Sequence, residues 1–236
     1  MPAANPSNQL QSTTYCRVFA QASKPDVVMA VGKTMGEFAM QHFSGFHLSL
    51  DMRTAVPRPY LAFYPAVYPQ EALHETVSIL GPSGDVDTTI PSGHPPEYEA
   101  LEPRKNYDTP SPVDLSSFGP TRAVRLGDIA LGRSGDKGAN INFGVFVRSP
   151  ALWDWFRTYM SRDRMRQLLG EDDRGYFIER VEFPHLWAVH FVIYGILGRG
   201  VSSSTKLDSL GKGFADYIRD KVVQVPEQFL GSDTRL

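Results

Sequence analysis

At 236 residues, 42% of them hydrophobic and 21% charged, the chain has the length and balance for one large or two small globular domains. A formal net charge of -2 argues against a dedicated nucleic-acid binder, which carries a surplus of Lys and Arg on one face. A single cysteine, Cys16, excludes an intrachain disulfide and a thiolate metal cage, and no apolar run reaches the roughly 18 residues of a membrane-spanning helix.

The first eleven residues, MPAANPSNQLQ, lack the basic and apolar regions of a secretory signal and read as a disordered lead-in. Residues 12–80 form a first region. Thr13–Gln21 alternates as a strand does, which makes Cys16 a buried structural thiol rather than a nucleophile. Pro25 suits the first turn of a helix running to about Phe43, with Val27, Val28, Val31, Met35, Phe38 and Ala39 as its apolar stripe. Arg58–Val67 is aromatic-rich but interrupted by proline, an edge strand or an extended segment. The aromatic stretch Tyr60, Phe63, Tyr64 and Tyr68 reads as core or interface.

Residues 81–120 hold 8 of the 18 prolines and almost no apolar periodicity, the pattern of a linker lying across a surface. The region 121–228 is the best patterned. It predicts strands over Val124–Leu131 and Asn140–Val147 joined by a Gly-rich loop, then one broken helix or two short ones from Pro150 to Leu169. Strands over Phe177–Phe183 and Trp187–Ile196 follow, and a last helix begins near Gly211 and ends before Pro226. This order predicts an α+β fold, a two-layer α/β sandwich with its helices on one face of the sheet, behind a smaller α/β N-terminal part. Such a sheet exposes an edge, which favours a homodimer.

The chemistry concentrates in Leu131–Asn140, where Gly132, Gly135 and Gly138 recur at equal spacing among Arg133, Ser134, Asp136 and Lys137. Glycines let successive amides turn into one anion-binding concavity, which the cations reinforce. The segment lacks the glycine-lysine-serine ending of a phosphate loop, and a strand rather than a helix follows it. A plain hairpin with a solvated charge cluster is the competing reading. Two later stretches can converge on it: Gly198–Lys206, with Ser203 and Lys206, and Asp208–Gly213, with Lys212. Asp208 also suits a helix cap. His190, in the apolar run Trp187–Val192, is the one group titrating near neutrality among the well-patterned strands, a candidate base or a core histidine. His42, His47 and His185 fit turns or helix ends, and no spacing fits a zinc site, so neither metal nor cofactor is called for.

The run Arg125–Asn142, together with Phe183-Pro-His-Leu186, Leu197-Gly-Arg-Gly-Val201 and Leu210-Gly-Lys-Gly213, resembles the C-terminal ferredoxin-like domain of the acyclic terpene utilisation (AtuA-like) family over about Thr121–Pro226. Gly45–Pro69 is similar to the end of that family's main α/β domain, here shortened. The resemblance implies a ferredoxin-like fold, small-molecule metabolism, and a place for Ser134, Asp136, Lys137 and Asn140 in the shared motif. His190 stands where the family pattern has an asparagine.

The functional expectation is a lyase or hydratase/dehydratase acting on a small carboxylate or acyl substrate. Asp136, Lys137 and His190 are its catalytic candidates. Arg133, Ser134, Gly135, Gly138, Asn140, Ser203, Lys206 and Lys212 are its substrate-binding candidates. A cyclase or isomerase needs the same parts, and a non-catalytic ligand-binding or partner subunit is the other class. No nucleic-acid or membrane partner is expected, and the compartment expected is the cytoplasm. Thr234–Leu236 bears a partial likeness to a peroxisomal address.

Overall fold

A computed structural model describes residues 7–9, 12, 14, 16–41, 43–47, 52–62, 64 and 66–231. The predictions made for residues 1–6, Thr13, Tyr15, His42, Phe63 and 234–236 lie outside these. The chain divides into two compact units, one of residues 1–61 with 205–207, the other of residues 62–204 with 208–236.

In the first unit, helix α1 spans Pro25–Phe38. Pro25 sits in the first turn, where its missing N–H costs nothing, and Asp26 complements the positive end of the helix dipole. The helix stops at Phe38, short of the expected Phe43, as Ala39 and Met40 turn and Gly45 takes a positive φ of 84°. The described residues of Thr13–Gln21 form no strand, and Cys16 is exposed rather than buried. Among the described residues, no helix is long and apolar enough to cross a membrane.

The second unit opens with an antiparallel hairpin, β1 (Thr76–Leu80) and β2 (Val86–Pro91), so the proline-rich stretch 81–120 contains a regular strand after all. Its remainder is irregular apart from one 3-10 turn, Leu115–Phe118, and is tied down by side chains. Arg104 donates to the Arg180 carbonyl (2.9 Å), Thr109 to that of Arg157 (3.1 Å), and Arg162 pairs with Asp108 (2.8 Å).

Strand β3 (Thr121–Arg125) leads into one helical turn, α2 (Leu126–Ile129), where Asp128 accepts the N–H of Arg125. Strands β4 (Ala130–Lys137) and β5 (Asn140–Val147) follow. Helices α3 (Trp153–Tyr159) and α4 (Arg162–Leu169) then cross to β6 (Ile178–Phe183) and β7 (Ala188–Ile193). Helix α5 (Phe214–Arg219) and β8 (Val222–Pro226) complete the unit. The main sheet is antiparallel in the order β4-β5-β7-β6, and β3 pairs with β8 apart from it.

The result is a two-layer α/β sandwich, with the helices on one face of the main sheet. Strand alternation sends Phe143, Val145, Val189, Phe191, Ile193 and Ile178 to that face, where they are buried with Trp155, Phe156, Met165, Phe214 and Ile218. Phe143 meets Phe214 edge to face at 5.5 Å. Each such side chain contributes about 1.5–3 kcal/mol relative to exposure.

Arg180 is the buried cation on this face, 1% exposed, pairing with Glu182 (2.7 Å) and donating to the carbonyls of Met160 and Arg157. Those carbonyls lie where α3 gives way to α4, so the pair fastens that break to the sheet.

Further expectations change in this unit. The glycine-spaced segment is a strand, not a loop, and a helical turn ends the preceding strand at Arg125. The last helix ends at Arg219, and Val222, expected on it, belongs to β8. There Val223 and Val225 are buried while Val222 and Gln224 are exposed, a period of two that pairing with β3 rewards.

Candidate functional site

Making β4 a strand decides which of its side chains work together. Ala130, Gly132, Ser134 and Asp136 go to the helix side, and Leu131, Arg133, Gly135 and Lys137 to the open side. The register then lays out the open face in rows: Arg133 opposite Gly144, Gly144 opposite His190, and His190 opposite Val181. In the next row stand Gly135, Asn142, Val192 and Glu179.

An open cleft of about 360 Å³ lies on this face, bordered by Arg133, Gly135, Lys137, Gly144, His190 and Lys212. Two glycines make its floor. At Gly135 a Cβ would come 2.9 Å from the Lys212 ammonium, and at Gly144 a Cβ would meet His190 at 3.8 Å. With strands spaced ~4.8 Å apart, Arg133 and His190 face each other across a strand that contributes no side chain between them.

Lys212 reaches the cleft because its loop is anchored. Asp208 accepts the amides of Lys212 (2.9 Å) and Gly213 (3.0 Å), which fixes the loop ahead of α5. It does not cap the helix as the sequence suggested, since Gly213 stands at the N-cap. Ser134 anchors the same loop from below, donating to the Gly211 carbonyl (2.6 Å) and accepting the N–H of Ala215 (2.8 Å) in the first turn of α5. Gly211 takes a positive φ of 60° here.

The expected ring of glycine amides is not formed. The β4 segment is extended, its main chain paired with β5, and of its three glycines only Gly138, in the hairpin turn, has a positive φ (64°). Gly132 instead admits the Arg219 side chain and the Phe143 ring. The positive charge on this face therefore comes from side chains, not from a nest of glycine amides.

The residues singled out in the sequence divide accordingly. Arg133, Lys137, Lys212 and His190 come together with Gly135 at one cleft. Asp136 borders the cleft but pairs with the core residue Ile141, so strand alternation directs its side chain to the helix side. Ser134 also borders it, but its hydroxyl is engaged below the sheet. Asn140 accepts the Gly195 N–H (2.9 Å) and fixes the turn after β7. Ser203 is buried with its hydroxyl on the Arg199 carbonyl. Lys206 belongs to the first unit and is exposed.

The electrostatics are one-sided. Among the described residues Arg133, Lys137 and Lys212 have no ion-pair partner, so their charge is available to a ligand. His190 is held below the usual imidazole range by burial, with Glu179 pulling the other way, and is neutral at neutral pH. The Phe183 ring stands edge-on to it at 6.4 Å.

Glu179 is the acidic side chain on the strand positions of this face, and sequence reasoning missed it. It accepts from Tyr107 (3.3 Å) and from Tyr194, whose phenol is pushed up by burial and by that carboxylate. Only the register of β6 against β7 reveals that it neighbours His190. Among the described residues, no three His, Cys, Asp or Glu side chains gather as metal ligands.

Two family models match the chain. The acyclic terpene utilisation family protein AtuA matches over residues 1–79, and the AtuA ferredoxin-like domain over residues 124–224. No curated protein and no solved structure matches it. The second match spans the two-layer sandwich and every residue of the cleft. The chain belongs to the acyclic terpene utilisation family, its second unit carrying that family's ferredoxin-like domain.

Proposed function

We propose that this member of the acyclic terpene utilisation family binds a small carboxylate or acyl substrate in the open-face cleft and acts on it as a lyase or hydratase/dehydratase. The supporting observation is that three cations without carboxylate partners share one cleft with a neutral histidine.

In this reading Lys212, Lys137 and Arg133 hold the anionic group. They also stabilise negative charge as it moves onto the carbonyl oxygen of an enolate. His190 takes the proton from the adjacent carbon and, as imidazolium, returns it to the departing hydroxide or to the product carbon. Glu179 steadies that imidazolium from the neighbouring strand. An isomerisation uses the same proton transfers with return at a different carbon.

The exposed Phe146, Phe177 and Phe183 on the same face favour a second reading. There the sheet face is an apolar docking surface, in a homodimer or against an enzyme that this chain serves as a ligand-binding subunit.

Proton exchange separates the two. With acyclic terpenoid carboxylates and their thioesters in D2O, the enzymatic reading expects deuterium at the carbon next to the carbonyl, and loss of that exchange in His190→Gln. Binding without exchange favours the docking surface, and exchange that survives His190→Gln removes His190 as the base.

A further inference from the structure

On the helix side of the same unit lies a second cleft of about 290 Å³, lined by residues of α3, α4 and β8 together with Lys221, which precedes β8. It is independent of the open-face cleft and of the function proposed for it.

Its charges set it apart from its surroundings. Along α3 and α4 the arginines are matched: Arg157 with Asp154 (2.9 Å), Arg162 with Asp108 (2.8 Å) and Arg166 with Asp173 (3.4 Å). Arg164 is the exception, with no carboxylate partner among the described residues. Asp163 precedes it, but helix neighbours one apart do not face each other. The same holds where α5 gives way to β8. Arg125 pairs with Asp220 (3.4 Å) and Arg219 with Asp216 (3.1 Å), while Lys221 has no acidic partner among the described residues. The two unmatched cations, both half-buried, line this one cleft.

Aromatic rings hold them in place. The Arg164 guanidinium lies 4.3 Å from the Tyr159 ring, which stacks on Trp155 at 4.7 Å, and the Lys221 ammonium lies 4.2 Å from the Tyr217 ring. Such contacts orient a cation without neutralising it. Neutral donors complete the lining. The Tyr159 phenol, kept protonated by burial, accepts a main-chain N–H from Gln224 and has its own proton to give. The Gln224 carboxamide oxygen accepts from Thr121 (3.2 Å), which leaves its NH2 group as a donor, and Gln167 adds another carboxamide.

We infer that the cleft between α4 and β8 is a second anion site, built for the phosphate group of a small phosphorylated molecule. Two fixed cations and several neutral donors match a group of charge near −2 with three oxygens, whereas a carboxylate satisfies only half of that charge. The cleft's size suits a phosphate with a short appendage.

The test is a titration of the 15N-labelled chain with inorganic phosphate and, separately, with glycerol 3-phosphate, with chloride adjusted to hold ionic strength constant. Saturable shifts are expected at Arg164 Nε, Gln167 and Gln224, resolved from any at Gly135 and Gly144. The ester should bind more tightly than free phosphate. Arg164→Ala with Lys221→Ala should weaken binding here at least tenfold, and His190→Gln should leave it unchanged. If the alanine pair lowers the melting temperature, Arg164→Gln with Lys221→Gln keeps the packed stems and should show the same loss. Non-saturating shifts, equal affinity in the doubly substituted chain, or phosphate bound only on the open face would overturn the assignment.

Discussion

The ammonium of Lys212 occupies the space above Gly135 where any other residue would place its Cβ, 2.9 Å from that position. The lysine comes from the loop before α5 and the glycine from β4, so residues 77 positions apart meet on the open face. Gly135→Ala should displace the flexible end of Lys212 with little effect on the melting temperature. Affinity for a carboxylate ligand, measured by calorimetry, should fall several-fold, as expected for loss of roughly 1 kcal/mol from one charge-assisted contact. Unchanged affinity would mean that Lys212 does not serve the ligand.

Ser134 works beneath the same loop. Ser134→Ala removes a hydroxyl that both donates to Gly211 and accepts from Ala215, leaving two buried main-chain groups unpaired. The expected loss is about 1–3 kcal/mol. In a domain of this size each 1 kcal/mol lowers the melting temperature by roughly 2–4 °C, which calorimetry reads directly. A binding role alone would leave the melting temperature where it is.

The buried pair Arg180–Glu182 is expected to be all or nothing. Glu182→Ala strands a guanidinium that is 1% exposed, at a cost of about 3–5 kcal/mol. Arg180→Met with Glu182→Leu should recover much of that loss, because no unpaired charge remains. Denaturant midpoints of the wild type and the two variants would show it, and a double variant no better than the single one would refute it.

Much of this was legible in the residues, and the exceptions have physical causes. Asn140–Val147 alternates cleanly, and β5 has those bounds. The glycines of β4 pointed to a loop because glycine is rare inside strands. Here each answers to tertiary contact: Gly132 to the Phe143 ring and the Arg219 side chain, Gly135 to Lys212. The cations of the site were therefore readable, while the separation of Asp136 from Lys137 onto opposite faces required knowing that the segment is extended. Glu179 left no local signal, since its place beside His190 depends on how β6 is registered against β7.

His190 should titrate below the ordinary imidazole value of about 6.5, followed by NMR of its ring protons. Because the folded state binds its proton less readily than the unfolded chain, this group's contribution to stability is complete above pH ~6.5. It is lost as the pH falls from there through the folded pKa. Glu179→Gln removes the carboxylate that favours the imidazolium, so the His190 midpoint should move lower still. A midpoint that rises or stays put would separate the two residues.

The most direct test of the open-face cleft is where an anion binds. Backbone amide shifts should be recorded while an acyclic terpenoid carboxylate is added to the wild-type chain and to one carrying Lys137→Ala and Lys212→Ala. The predicted result is a saturable set of changes centred on Gly135, Asn142, Gly144 and His190 in the wild type, absent from the doubly substituted chain although its spectrum remains folded. Equal binding by both chains, or changes centred away from this face, would contradict it.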